Sequence, residues 1–127
     1  NIQQVVMNQW IQLQNGIRLY IGEASKVVHT PENNSTTYYF SSELISTPLY
    51  IRTRKSGDRI LLKGMEQQKR LSRLFIDEKI PLEDREQWPV LVDANDEVLA
   101  VIGVRVSKKL STRKQIVDDF ILIVERK

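Results

Sequence analysis

The dipeptide Asn15-Gly16 constrains this chain more than any other pair of residues. It stands between two runs in which polar and apolar side chains alternate, Gln9 to Gln14 and Ile17 to Ile21. Both central residues of a tight hairpin turn need positive φ, which Asn and Gly adopt at the least cost. The pattern predicts an antiparallel hairpin over 9–21. Lys26 to His29 reads as a weaker strand, Thr30 to Thr37 as an exposed polar loop, and Thr37 to Phe40 as a strand.

The texture changes near residue 46, so a strand-rich segment over 1–46 is expected to precede a second unit over 47–127. Leu49 to Arg54 reads as a strand with Arg52 and Arg54 on one face, because side chains alternate with period two. Lys55 to Asp58 is a turn. A helix is predicted over 66–78, with Leu71, Leu74, Phe75 and Glu78 on one face and Lys69, Arg70 and Arg73 on the other. Ile76 falls beside the basic face and breaks the pattern. Pro81 stops the helix, and Leu82 to Gln87 fits one short helical turn. Val90 to Val92 is a strand, Asp93 to Glu97 a turn, and Val98 to Val106 a strand bent or broken at Gly103. Ser107 to Lys114 is a basic loop, and the apolar run Phe120 to Val124 is a buried strand. Strands with one main helix make the chain α+β.

Composition narrows the chemistry. The 127 residues suit one ordinary domain or two very small ones. There is no Cys, which removes thiolate chemistry and disulfides and suits a reducing compartment. The single histidine, His29, has no acid or nucleophile near it in sequence and reads as a residue without a chemical role. No apolar run approaches the roughly 20 residues of a membrane helix. The five glycines lack the spacing of a dinucleotide fingerprint or a P-loop. Asp93, Asp96 and Glu97 suit a turn between strands, and Glu83, Asp84 and Glu86 a solvated helix start. No catalytic constellation or metal set emerges. Asn1 in place of an initiator Met is expected of a fragment of a longer protein.

Charge supplies the positive signal. Residues 1–47 carry two basic and three acidic residues, whereas 48–127 carry 17 basic and 13 acidic. The window 52–79 alone holds nine basic residues against four acidic ones. Such a focused patch suits a polyanion, with Arg and Lys neutralising phosphates without reading bases. The alternative is a solvated surface in which several of these cations pair with nearby acids. No RNP signature or Gly-x-x-Gly loop is present.

Arg52-x-Arg54-x-x-Gly57-Asp58-Arg59, then Gly64, then the run from Lys69 to Pro81 with Phe75-Ile76-Asp77-Glu78-Lys79-Ile80-Pro81, carry a resemblance. Arg85, Pro89-Val90-Leu91-Val92 and Val101-Ile102-Gly103 continue it in order and spacing over about residues 48–105. The sequence resembles the C-terminal domain of bacterial tRNA(Ile)-lysidine synthetase. Residues 1–46 also look like the strand-rich segment that precedes this domain in Gram-positive members. The resemblance implies a mixed or antiparallel sheet. It implies that the intact enzyme is a cytoplasmic ATP-dependent ligase, using Mg, that joins lysine to the wobble cytidine of a CAU-anticodon tRNA(Ile). The family's Ser-Gly-Gly-x-Asp-Ser loop belongs to an N-terminal domain, and no such run occurs here. This chain is therefore expected to be inactive alone and to hold no cofactor. It is expected to grip the tRNA body and acceptor stem through Arg52, Arg54, Arg59, Lys69, Arg70 and Arg73, with Lys79 and Arg85 as secondary contacts. Asp58 is expected to orient an arginine or cap the turn. Two departures stand out: Met65-Glu66-Gln67-Gln68 replaces a glycine-containing loop, and the position of Arg73 varies among relatives.

A competing expectation is a structural or dimerisation module of the same enzyme, packed against its other domains or a second copy without touching RNA. Salt separates the two, because phosphate contacts weaken steeply with salt and an apolar interface hardly responds.

Overall fold

The computed structural model describes residues 1–27 and 32–127. Its strands are β1 (Gln3–Gln4), β2 (Gln9–Gln12), β3 (Ile17–Glu23), β4 (Ser35–Phe40), β5 (Tyr50–Arg52), β6 (Arg59–Ile60), β7 (Lys69–Arg70), β8 (Val90–Val92), β9 (Val98–Val101), β10 (Arg105–Val106) and β11 (Phe120–Arg126). The α-helix α1 spans Leu71–Asp77, and short 3-10 turns occupy Ala24–Lys26, Ser42–Leu44 and Leu82–Gln87. The strands form a five-stranded sheet in the order β1-β5-β8-β9-β10, a four-stranded sheet β2-β3-β11-β4 and a β6-β7 ribbon. Among the described residues every strand pairing is antiparallel. The α+β class with one main helix is borne out, and the sheets take the antiparallel of the two expected forms.

The hairpin forms as expected. β2 pairs with β3 in the register Trp10 to Tyr20, and the turn places Asn15 at φ 61° and Gly16 at φ 71°. The Ile17 N–H donates to the Gln14 carbonyl at 3.2 Å, closing a turn whose twist matches that of the strands. The weak strand expected over 26–29 and the loop over 30–37 fall partly on residues 28–31, outside the described residues. Of the remainder, Ala24–Lys26 is a 3-10 turn, and Ser35–Thr37 already belongs to β4.

The run at 120–124 is apolar throughout because β11 lies in the middle of its sheet and is covered on both faces. Leu122 and Val124 join the main core, while Ile121 and Ile123 point to the opposite face and are also buried. β11 pairs with β3 on one side and β4 on the other. At the far end of the sequence, β1 pairs with β5. Backbone pairing thus crosses the texture change near residue 46 in three strand pairs, and one core cluster draws on residues from both sides of it.

One local expectation needs correction. The helix expected over 66–78 spans only Leu71–Asp77. Lys69 and Arg70 instead pair across β6–β7 with Ile60 and Arg59, and the Leu71 N–H donates to the Asp58 carbonyl at 3.0 Å. This long-range pairing holds the residues before Leu71 extended. The helix closes with Lys79 in the left-handed region at φ 56°. Lys79 N–H donates to the Ile76 carbonyl and Ile80 N–H to the Phe75 carbonyl, each at 3.0 Å, a Schellman closure completed by buried Ile80. At 98–106 the break expected at Gly103 occurs. Gly103 sits at φ 80° in a tight turn between β9 and β10, which pair as a hairpin.

Candidate nucleic-acid interface

The turn over 55–58 is the centre of the site. β5 ends at Arg52, so the alternation that would place Arg54 beside Arg52 stops there. Arg52 turns inward and is 3% exposed. Its guanidinium donates to both oxygens of Asp58, at 2.8 and 2.9 Å, to Asp96 Oδ1 at 3.1 Å and to the Thr53 carbonyl at 2.9 Å. Asp58 Oδ2 also accepts from the Lys55 N–H at 2.7 Å. The carboxylate thus orients the arginine and caps the turn. Lys55 reaches Asp96 Oδ2 at 3.2 Å and ties the turn to the β8–β9 connection.

On the outer side of this turn a cavity of about 350 Å³ is lined by Arg54, Lys55, Gly57, Arg70, Ser72 and Glu86, among others. Gly57 has φ 87°, and nothing lies within 4 Å of where a Cβ would stand. A peptide bond so uncovered lets an anion approach the backbone closely. Arg54 donates to Glu86 at 2.7 Å, and its guanidinium carbon lies 5.0 Å from the centre of the buried Phe75 ring. The helix core therefore braces this arginine from below.

Arg59 and Arg70 face each other directly across β6–β7. Both are exposed, and neither has a carboxylate within ion-pair distance among the described residues. Like charges directly opposite in a sheet are destabilising. Lys69 of β7 and Arg73 of α1 converge on Asp77 from 2.5 and 3.2 Å.

The ribbon and helix start thus gather Arg54, Arg59, Lys69, Arg70 and Arg73, with Lys55 and Ser72 beside them. Lys55 belongs to the basic window but stood outside the expected contact set, and Ser72 has no sequence signal of its own. Three expected contacts are engaged otherwise. Arg52 is sequestered in its ion pairs, Lys79 terminates α1, and the half-buried Arg85 donates to the Ile80 carbonyl at 2.9 Å. Among the described residues no group of three or more His, Asp or Glu side chains could hold a metal ion. No described helix is long and apolar enough to cross a membrane.

Three carboxyls are held below the ordinary aspartate range. At Asp96 burial pushes the pKa up, but hydrogen bonds from Arg52 and Lys55 outweigh it. At Asp77 the hydrogen bond from Lys69 leads, and at Asp119 the one from the Ser42 hydroxyl. A lowered native pKa contributes stability that is present above the unfolded value of about 3.9 and is lost as pH falls through the native one. Urea unfolding between about pH 5 and pH 2 should show stability falling on acidification. Asp96→Asn should lower stability at neutral pH and flatten that fall. An unchanged slope in the variant would remove Asp96 from the acid response.

Comparison with known proteins gives one answer throughout. The family model described as the TilS substrate C-terminal domain matches residues 49–117. The tRNA(Ile)-lysidine synthase of Bacillus subtilis (strain 168) is 42% identical over 89 residues, covering 69% of this chain and 19% of that protein. The bifunctional protein TilS/HprT of Listeria monocytogenes serotype 4b (strain F2365) is 36% identical over 104 residues, covering 82% of this chain and 16% of that protein. A crystal structure of a TilS C-terminal domain superposes with a TM-score of 0.77 at 26% identity, covering 98% of this chain and 94% of that one. The chain spans less than a fifth of the length of these two relatives. With the family pattern matched over more than half its length and the fold shared almost end to end, the chain belongs to the TilS substrate C-terminal domain family.

Proposed function

We propose that this chain is the non-catalytic, tRNA-gripping region of a tRNA(Ile)-lysidine synthase. It holds the body and acceptor stem of tRNA(Ile) through backbone phosphates. The observation that carries this reading is the opposed pair Arg59 and Arg70, two exposed arginines facing each other with no carboxylate partner among the described residues. Repulsion of this kind is relieved when a phosphate lies between the two guanidiniums, each of which can donate two hydrogen bonds to it. Arg54, Lys55 and the Gly57 turn extend the cradle on one side, and Lys69 and Arg73 on the other. Arg52 acts through the turn that it holds and touches no phosphate itself.

In the intact enzyme, as the resemblance implies, a separate domain uses ATP and Mg to attach lysine to the wobble cytidine of CAU-anticodon tRNA(Ile) in the cytoplasm. This chain supplies affinity and register far from the reacting base. Alone it binds weakly, because one module of a multi-domain grip forgoes the effective concentration that linkage provides.

The test is binding of CAU-anticodon tRNA(Ile) at two salt concentrations, beside the Lys69→Ala/Arg70→Ala/Arg73→Ala variant. Wild-type affinity should fall steeply with salt, with a log–log slope of about 0.7–0.9 per phosphate contacted. The variant should lose about tenfold or more in affinity and show a shallower slope. Binding indifferent to both salt and substitution would overturn the assignment in favour of a structural or dimerisation module.

A further inference from the structure

A second basic cavity lies away from the Gly57 turn, where the three sheets meet. Its volume is about 250 Å³, and it is lined by Tyr38, Lys63, Arg105, Ser107, Ser111 and Thr112, among others. Backbone contacts from two distant segments and one within the β9–β10 hairpin build it. Ser111 exchanges hydrogen bonds with Tyr39 of β4 at 2.7 and 3.0 Å. Lys108 N–H donates to the Leu61 carbonyl at 2.9 Å, and Ser107 N–H to the Leu99 carbonyl at 2.7 Å. The four-stranded sheet, the β9–β10 hairpin and the segment leading out of β6 thus each supply one wall.

The chemistry of the lining is one-sided. From Val98 to Val117 the sequence holds five basic residues and no acid. Among the described residues no carboxylate lines the cavity. Arg105 is anchored by Glu78 at 3.3 Å, while exposed Lys63 has no ion pair among the described residues. The Ser107 and Ser111 hydroxyls each accept a backbone N–H, from Lys109 and Arg113, both at 3.1 Å. With an acceptor position filled, each hydroxyl keeps its own proton to donate. Burial raises the pKa of the Tyr38 hydroxyl, against the opposing pull of Arg105, so this group also keeps its proton at neutral pH. Unpaired Lys63, Arg105 shared with Glu78 outside the lining, and several O–H donors suit an oxyanion.

We infer that this cavity binds a second backbone phosphate of the RNA held at the Gly57 turn, with Lys63 and Arg105 supplying charge and the hydroxyls of Tyr38, Ser107, Ser111 and Thr112 supplying hydrogen bonds. The inference rests on the proposed tRNA grip. It adds a contact outside the expected set, with one wall, Tyr38, outside the matched residues 49–117.

The test uses the whole chain and two probes, CAU-anticodon tRNA(Ile) and inorganic phosphate. Lys63→Ala and Tyr38→Phe are compared with Arg59→Ala/Arg70→Ala, after thermal unfolding has shown each variant folded. Lys63→Ala should weaken tRNA binding about threefold to tenfold and lower the log–log salt slope by about 0.9. Tyr38→Phe should weaken binding with the slope unchanged. Inorganic phosphate, followed by amide NMR without RNA, should shift Ser107, Ser111 and Thr112. Loss of binding in the Arg59/Arg70 variant with no effect of Lys63→Ala or Tyr38→Phe overturns the second site and leaves the first. Phosphate shifts at 107–112 without any effect on tRNA binding overturn the RNA as its source. Absence of tRNA binding by the wild type overturns both readings.

Discussion

Arg52→Ala should cost the fold about 3–5 kcal/mol, the usual range for removing one partner of a buried ion pair. The side chains of Arg52 and Asp58 are 2% and 9% exposed. Removing the guanidinium leaves the Asp58 carboxylate facing a cavity, with the Lys55 N–H still donating to it. Asp96 loses one of its two cationic partners at the same time. Arg52→Lys should recover only part of the loss, because an ammonium cannot match the two parallel bonds that the guanidinium makes to Asp58. The effect should respond little to salt, since buried pairs are poorly screened. Urea unfolding of the three proteins at two ionic strengths measures this. A loss below about 1 kcal/mol would place the pair with ordinary surface ion pairs and sink the claim.

A larger effect is expected from dividing the chain between Ser46 and Thr47. Neither part should fold alone. Residues 47–127 would retain β11 with both of its partners, β3 and β4, removed, exposing Ile121, Leu122, Ile123 and Val124. An unpaired apolar strand is a site of aggregation rather than a stable edge. Residues 1–46 would keep the hairpin and β4 but lose the central strand between them. Each piece alone should lack near-UV circular dichroism and dispersed amide resonances, and an equimolar mixture should regain both. A well-dispersed spectrum from 47–127 alone would show that this part is self-sufficient.

What could be read from the sequence follows the range of the interaction that decides it. Asn15-Gly16 fixes its hairpin through the φ angles of two neighbouring residues, so the prediction holds. The buried strand at 120–124 announces itself because cover on both faces demands an unbroken apolar run. The spacing of Leu71, Leu74 and Phe75 correctly identifies the buried face of α1, and the misfit of Ile76 is real, since that side chain is exposed. The error at 66–70 comes from a partner beyond the reach of helical periodicity, the β6 strand at Arg59–Ile60, which holds Lys69 and Arg70 extended. Period-two alternation put Arg52 and Arg54 together, yet one is buried and the other lines the cavity. Asp96 lies 44 residues from Arg52, and no local pattern announces such a pair. The basic patch was legible as charge. The opposed placement of Arg59 and Arg70 was not, because it depends on the register of the ribbon.

The central position of β11 also sets the order in which the chain can fold. Its partners in β3 are made about a hundred residues earlier, a large separation for any pairing to bridge. On a ribosome, β3 and β4 must wait as open edges until almost all of this sequence has been synthesised. The early hairpin can close by itself within microseconds, but the sheet cannot. Folding should therefore be slow for a chain of this size, and completion of β11 the event that commits it.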